Sequence, residues 1–357
     1  MKKLLLLTFL FINIALFSET KAIWVPVWDL TDSLKIKEIV SLAKSNGINE
    51  ILAEIRYRGD ALYCPNKNSS TYKNTEKFCY VLKDTLFDPF DYLIKTAHKQ
   101  HIDVQAWVTT FVVTSHNMKN IDKDHIIKQH PEWVTYDFEN RKMKPNTLEG
   151  AYLDPGIPAV QKYLTDIFLD IVENYKPDGL QLDYVRYPDI IYGYNPLSWK
   201  RFVSQSKTND GAEWIKWRQQ QVTNFVKKLN KKIKVISPET KLTAAVIWKI
   251  KAARERFSQD WIDWITKDYV DKVYLMAYTK SNDEFEAITD TLSTFKLNKK
   301  IVVGLRAWDD AKKYKAQEII QKIAFVRKKK FKGFALFSST GLSQNNYWNP
   351  LKATLRK

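Results

Sequence analysis

Eight short runs rich in β-branched and aromatic residues recur along the chain, with amphipathic stretches of helical period between them. The runs are IWVPVW (23–28), EILAEIRY (50–57), IDVQAWVTTF (102–111), GLQLDYVR (179–186), KLTAAVIW (241–248), VDKVYLMAY (270–278), KIVVGLRAW (300–308) and GFALFSS (333–339). Most are apolar on both faces, as strands of a parallel sheet covered on both sides would be. The clearest helix spans Ala159 to Tyr175, where Val160, Leu164, Ile167, Phe168, Ile171, Val172 and Tyr175 share a face between Pro158 and Pro177. The same period predicts helices over 33–45, 88–99, 213–232, 261–267, 283–295 and 310–328. Strands and helices alternating in this way predict an α/β fold, a (β/α)8 TIM barrel formed as one domain by residues 23–357. Two connections are unusually long, 112–158 after the third strand and 187–212 after the fourth. In such a barrel, loops that follow the strands build the active site, so these two are expected to wall it.

The chain opens MKKLLLLTFLFINIALFSETKA, two Lys followed by an apolar run from Leu4 to Phe17 and a polar exit. That is the layout of a secretory signal peptide, with a cut expected after Ala22; kept as an anchor, it would place the folded part outside the cytoplasm equally well. Export, to a periplasm or beyond the cell, is therefore expected. In an oxidising compartment Cys64 and Cys79, which lack metal-ligand spacing, become candidates for a loop-closing disulfide. No later segment is apolar for long enough to cross a bilayer.

The formal charge of +17 favours anionic partners such as a cell-wall polymer or acidic lipid headgroups, and export disfavours nucleic acid. A monomer without cofactor or metal is expected. The five His (98, 101, 116, 125 and 130) form no metal motif, although His116 and His130 fall in the long third loop. Nucleophile-elbow, Walker A and dinucleotide fingerprints are absent.

Polar and aromatic residues gather where strands finish. Asp183 ends the fourth, Glu54 and Arg56 lie late in the second, and Arg186 follows the fourth. Trp28, Trp107, Trp248, Tyr278 and Trp308 stand at or near the ends of five others. Aromatic faces beside a polar pocket suit sugar rings, which stack through their C–H faces and leave hydroxyls free for hydrogen bonds. Asp183 in such a mouth would be a proton donor if burial dominates, a nucleophile or base if Arg56 or Arg186 does, or a structural partner of an Arg. Glycoside hydrolysis takes two carboxylates about 5 to 9 Å apart, and Glu54, Asp60, Asp154 and Asp309 are candidates for the second. Glu54 comes first because a strand holds a group more firmly than a loop. A sugar bearing an N-acetyl group could instead supply its own nucleophile.

The segments IWVPVWDL, EIRYRGDALY, HPEWV, YLDPGIPAVQKYLTDIFLDIVENYKPDGLQLDYVRYP and QDWIDWITKDYVDKVYLMAY together resemble the glycosyl-hydrolase-like family 10 of bacterial (β/α)8 glycosidases, over most of the chain. The resemblance implies a glycan substrate, for exported members a cell-wall glycan with amino sugars such as peptide-free peptidoglycan strands. It also implies that Arg56, Asp60, Asp154, Asp183, Tyr184 and Tyr278 form the pocket. Where a paired acid is expected on the fourth strand, Tyr184 leaves Asp183 single. The chitinase pattern D-G-x-D-x-D-x-E is only half met, because Gln181 and Val185 replace an Asp and the Glu. The expectation is a glycoside hydrolase with Asp183 and Glu54 as its carboxylates. The rivals are a non-catalytic glycan-binding protein using the same Trp-lined mouth, and a basic envelope-associated interaction protein.

Overall fold

A computed structural model describes residues 18–357 except 116, 117, 119, 120, 148, 209 and 311. Eight parallel strands form the barrel: β1 (Thr20–Val25), β2 (Glu50–Tyr57), β3 (Asp103–Thr109), β4 (Gly179–Asp183), β5 (Lys241–Ile247), β6 (Lys272–Met276), β7 (Ile301–Arg306) and β8 (Gly333–Phe337). Each pairs with its neighbour in sequence, and β1 closes the ring, with Ala22 opposite Glu50 of β2 on one side and Ala335 of β8 on the other. The helices α1 (Ser33–Ser45), α2 (Pro89–His98), α3 (Pro158–Tyr175), α4 (Gly211–Ile236), α5 (Trp261–Thr266), α6 (Asn282–Ser293), α7 (Ala316–Lys328) and α8 (Trp348–Arg356) follow the strands in turn. Side-chain caps start several of them: the Asp32 carboxylate accepts from the amides of Leu34 and Lys35, and Asp88 accepts from that of Asp91. Among the described residues no helix is long and apolar enough to cross a membrane.

The first strand begins three residues before the expected run, where Thr20 to Ala22 pair with β8, and it ends at Val25 because Pro26 lacks an amide hydrogen and a 3-10 turn takes over at Val27. A cut after Ala22 would therefore fall inside β1 and strip Thr20, Lys21 and Ala22 from the β8 ladder; residues 1–17 lie outside the described part. Helix α8 went unrecognised in the sequence pattern, as did short helices at 126–129, 196–205, 250–255 and 339–344.

The expected disulfide does not form: both cysteines are free thiols. Cys79 lies alongside Ala61, to whose carbonyl its amide donates, whereas the chain has carried Cys64 onward to α3, where its amide meets the Tyr175 hydroxyl.

Side chains in the lumen are layered. At the amino-terminal end Lys272 Nζ donates to Glu50 Oε2 at 2.6 Å, the Tyr274 hydroxyl donates to Glu50, and Gln105 links Tyr274 to Thr243. Above this polar plug lies an apolar layer of Trp24, Leu52, Trp107, Tyr274 and Val302. Trp24 fills so much of it that a Cβ at Gly304 would come within 3.1 Å of the indole and 2.8 Å of the Leu275 carbonyl, so only glycine fits there. With the lower lumen filled, the lumen itself opens toward the carboxyl ends of the strands.

Candidate active site

That open end is a cavity of about 610 Å³. Eight expected residues line it: Trp28, Glu54, Trp107, Asp183, Tyr184, Arg186, Tyr278 and Trp308. The ladders place them, since Glu54 on β2 sits opposite Trp107 on β3, and Thr109 sits opposite Asp183 on β4. β2 and β4 are two strand spacings apart, about 10 Å across the sheet, and their two carboxylates face into the same cavity.

The two acids have different surroundings. Asp183 Oδ2 accepts from Trp107 Nε1 at 3.0 Å and Oδ1 from the Tyr184 amide at 2.7 Å. Burial raises its pKa, while those two donors and the Arg186 and Arg58 guanidinium groups oppose the rise. Glu54 has one long hydrogen bond, from the Val27 amide at 3.2 Å to Oε2. Its pKa is pushed up to about 8, chiefly by burial, with the Asp183 charge adding to the rise. At neutral pH Glu54 therefore keeps its proton, and Asp183, with two donors and two guanidinium groups set against its burial, is the one of the pair whose surroundings favour the charged form. Environments that separate two carboxyl pKa values in this way assign one as acid and the other as anion.

Alternation along β4 would point Tyr184 away from Asp183, yet both line the cavity. Tyr184 has a φ of 51°, which ends the strand and turns its ring back beneath the Arg186 guanidinium, 5.0 Å from the ring centre. Aromatic walls complete the space: Tyr278 meets Trp308 edge-on at 5.1 Å, and Trp28 meets Tyr57 at 5.2 Å. The long third loop reaches the rim through Glu149, whose carboxylate accepts from Arg186 Nη2 at 3.1 Å.

Four expected pocket residues lie elsewhere. The β2–β3 register shifts between Glu54 and Arg56, so Arg56 leaves the lumen side; it is fully buried, paired with Glu76 at 2.5 Å and set over the Phe168 ring of α3. Asp60, beyond the turn at Gly59, is buried 4.0 Å from His125, and its pKa is pushed up to about 8 chiefly by burial. Asp154 is fully buried and accepts from Thr135 Oγ1, Ser198 Oγ and the Gly156 amide, so it ties the third loop to the fourth. Trp248 lies in a separate groove with Ile250, Ile288 and Leu292.

Asp309 is held by Arg306, which keeps its pKa below the usual carboxylate range. His130 stacks on Trp133 at 3.8 Å and lines a different cavity, and His116 lies outside the described residues. Sequence reasoning missed Arg58, Trp24, Tyr57, Glu149 and Phe337, all of which line the cavity. Arg58 carried a usable signal, since it precedes Gly59 in the tight turn that ends β2.

The profile of the family described as Glycosyl hydrolase-like 10 matches residues 19–325. The chain belongs to the glycosyl hydrolase-like 10 family. This family span takes in β1 to β7 and both cavity carboxylates. Glycosyl hydrolase YngK of Bacillus subtilis is 24% identical over 240 residues, 62% of this chain and 44% of that protein. Glycosyl hydrolase DigH of Escherichia coli K12 is 27% identical over 213 residues, 57% of this chain and 45% of that one. The chain thus spans less than half the length of these relatives. Two solved structures share the fold of this glycosyl hydrolase-like 10 chain at 11% identity. The PgaB (BpsB) glycoside hydrolase domain from Bordetella bronchiseptica has a TM-score of 0.73, with 95% of this chain and 99% of that one covered. The catalytic domain of a beta-amylase from Paenibacillus polymyxa has a TM-score of 0.62, with 94% and 97% covered.

Proposed function

We propose that the chain is an exported glycoside hydrolase acting on a bacterial cell-wall glycan that contains amino sugars, with Glu54 as proton donor and Asp183 as the anionic partner. The observation that carries this reading is the unequal surroundings of two buried carboxyls facing one aromatic-walled cavity, Glu54 with a single long hydrogen bond and a pKa pushed up to about 8, Asp183 with two donors and two nearby guanidinium groups. Glu54, protonated at neutral pH, gives its proton to the leaving glycosidic oxygen. Asp183 either attacks the anomeric carbon or, on an N-acetylated sugar, orients the acetamido group as internal nucleophile. In both routes its negative charge stabilises the oxocarbenium-like transition state.

The cavity wall supports the substrate class. Tyr278, Trp308, Trp28 and Tyr57 offer ring faces and edges to pyranose units. Arg58 and Arg186 stand ready for an anionic substituent, such as the lactyl carboxylate of muramic acid in strands stripped of peptide.

The test is to incubate the purified protein, and its Asp183→Asn variant, with peptide-free peptidoglycan strands and with chitooligosaccharides, reading products by mass spectrometry. Cleavage by the first protein and a drop of several orders of magnitude in the second is the expected result. Retention of both proteins on the strands without products would move the reading to a non-catalytic glycan-binding protein.

A further inference from the structure

The amino-terminal end of the barrel, opposite the cavity, carries a distinct surface. Two of the turns that feed strands there, residues 294–300 before β7 and 327–332 before β8, contain Lys296, Lys299, Lys300, Arg327, Lys328, Lys329, Lys330 and Lys332 and no acidic residue. The turns are bound side by side: the Lys332 amide donates to the Asn298 carbonyl at 2.8 Å, and Asn298 Nδ2 donates to the Lys329 carbonyl at 2.7 Å. Carboxylates from neighbouring segments meet Lys300, Lys329 and Arg327 and still leave a positive excess. Lys299 and Lys332 also reach a cavity of about 450 Å³ at the mouth of the polar plug, where Lys241 and Lys272 are balanced by Glu19, Glu50, Asp103 and Asp271, so the positive excess belongs to the two turns and not to this cavity. Burial first, and then the charges of Lys272 and Lys241, hold the Lys332 pKa below the usual lysine range, with Glu50 opposing.

Two further features point to one kind of partner. Phe295 stands 42% exposed among these cations, and at the same end of the barrel Val235, in the KKIKVI end of α4, is 77% exposed. Lysines with an exposed aromatic between them suit the interface of a bilayer, where headgroups take the charge and the ring enters the acyl boundary; a polyanion in water gives the ring nothing. Lys332 Nζ also donates to the Ser18 carbonyl at 3.1 Å, so the described chain enters β1 on this same face.

We infer that the lysine-rich amino-terminal face of the barrel, centred on the 294–300 and 327–332 turns with Phe295, is a docking surface for an anionic phospholipid bilayer. Docked this way, the barrel turns its cavity away from the lipid toward polymer on the far side. The inference is independent of the chemistry at the cavity.

Full-length protein is sedimented with vesicles of phosphatidylglycerol and phosphatidylcholine, or of phosphatidylcholine alone, at low and high salt. Binding that requires phosphatidylglycerol and is lost at high salt is expected. Each lysine at such a surface is worth about fivefold in affinity, so the exposed quartet Lys296→Gln, Lys299→Gln, Lys328→Gln and Lys330→Gln should weaken binding by at least roughly a hundredfold. Phe295→Ser should weaken it further without changing its salt dependence. The control quartet Lys37→Gln, Lys200→Gln, Lys216→Gln and Lys251→Gln, which removes the same charge elsewhere, should bind nearly as the parent does. Unchanged thermal melting of both quartets keeps the comparison free of folding effects. Equal binding to phosphatidylcholine alone would overturn the inference in favour of the apolar amino-terminal sequence, and equal loss in the control quartet in favour of bulk charge. Displacement of the protein from vesicles by an equal charge of polyphosphate would assign the face to an anionic polymer instead.

Discussion

Replacing Glu54 by Gln separates a carboxyl kept for chemistry from one kept for packing. Burial and the Asp183 charge raise the Glu54 pKa from an ordinary 4.5 to about 8 in the folded protein. Between those values the folded chain keeps a proton that the unfolded chain releases, so stability declines as pH rises, and the whole contribution is gone above 8. A shift of this size corresponds to an upper bound of about 5 kcal/mol. The cavity admits water and Asp183 shares the titration, which brings the usable figure to about 2 to 3 kcal/mol. Gln keeps the shape and still accepts from the Val27 amide, but it has no charge to desolvate. At pH 8.5 the variant should thus be the more stable protein by that amount, which raises Tm by about 3 to 4 °C for about 340 residues at ~2.1 cal/mol/K each. At pH 5 the two should melt together. Calorimetry from pH 5 to 9 reads both values, and turnover measured on the same samples should fall by about 10² to 10⁴. A variant that melts lower at pH 8.5, or two melting curves that run parallel across the range, would refute the assignment of a strained, protonated Glu54.

Trp107→Phe removes the Nε1 donor to Asp183 and keeps the ring, so the Asp183 pKa should rise further and the acid limb of the pH–rate profile should move to higher pH, with kcat down about tenfold; an unmoved limb would show that Trp107 only fills space. Glu76→Ala leaves the buried Arg56 guanidinium without its carboxylate and should cost about 3 to 5 kcal/mol in a denaturant melt, while glycan affinity holds in the fraction that stays folded; a loss below about 1 kcal/mol would mean that Arg56 has found water.

The barrel was legible because its signals are local and repeated. Eight apolar runs, helices between them and a proline at the first turn of α3 all agree, and the ladders confirm each strand to within a few residues. Boundaries slipped where one residue overrode the period, at Pro26, which ends β1, and at Tyr184, whose positive φ ends β4 three residues early. Helix α8 was missed because WNPLKATLR is short and holds a proline at its third position, although Trp348, Leu351 and Leu355 share a buried face.

The site was legible only where a side chain's direction follows from strand alternation. Glu54, Trp107 and Asp183 come from unbroken ladders and reach the cavity; Arg56 is two residues past Glu54 and should have joined them, but the register shift between the two sends it to Glu76. Asp60 and Asp154 show a different limit. Each is an acid in a motif that suggests a pocket, and each is buried with a raised pKa, the mark of a functional carboxyl, yet neither borders the cavity. Asp154 instead receives three hydrogen bonds that join the two long loops, and those loops in turn set Glu149 against Arg186 at the rim. A raised pKa therefore separates these acids poorly. What distinguishes Glu54 is that its proton faces open space beside a second carboxylate, and that relation between strands two apart is set by barrel closure and has no counterpart in any single stretch of sequence.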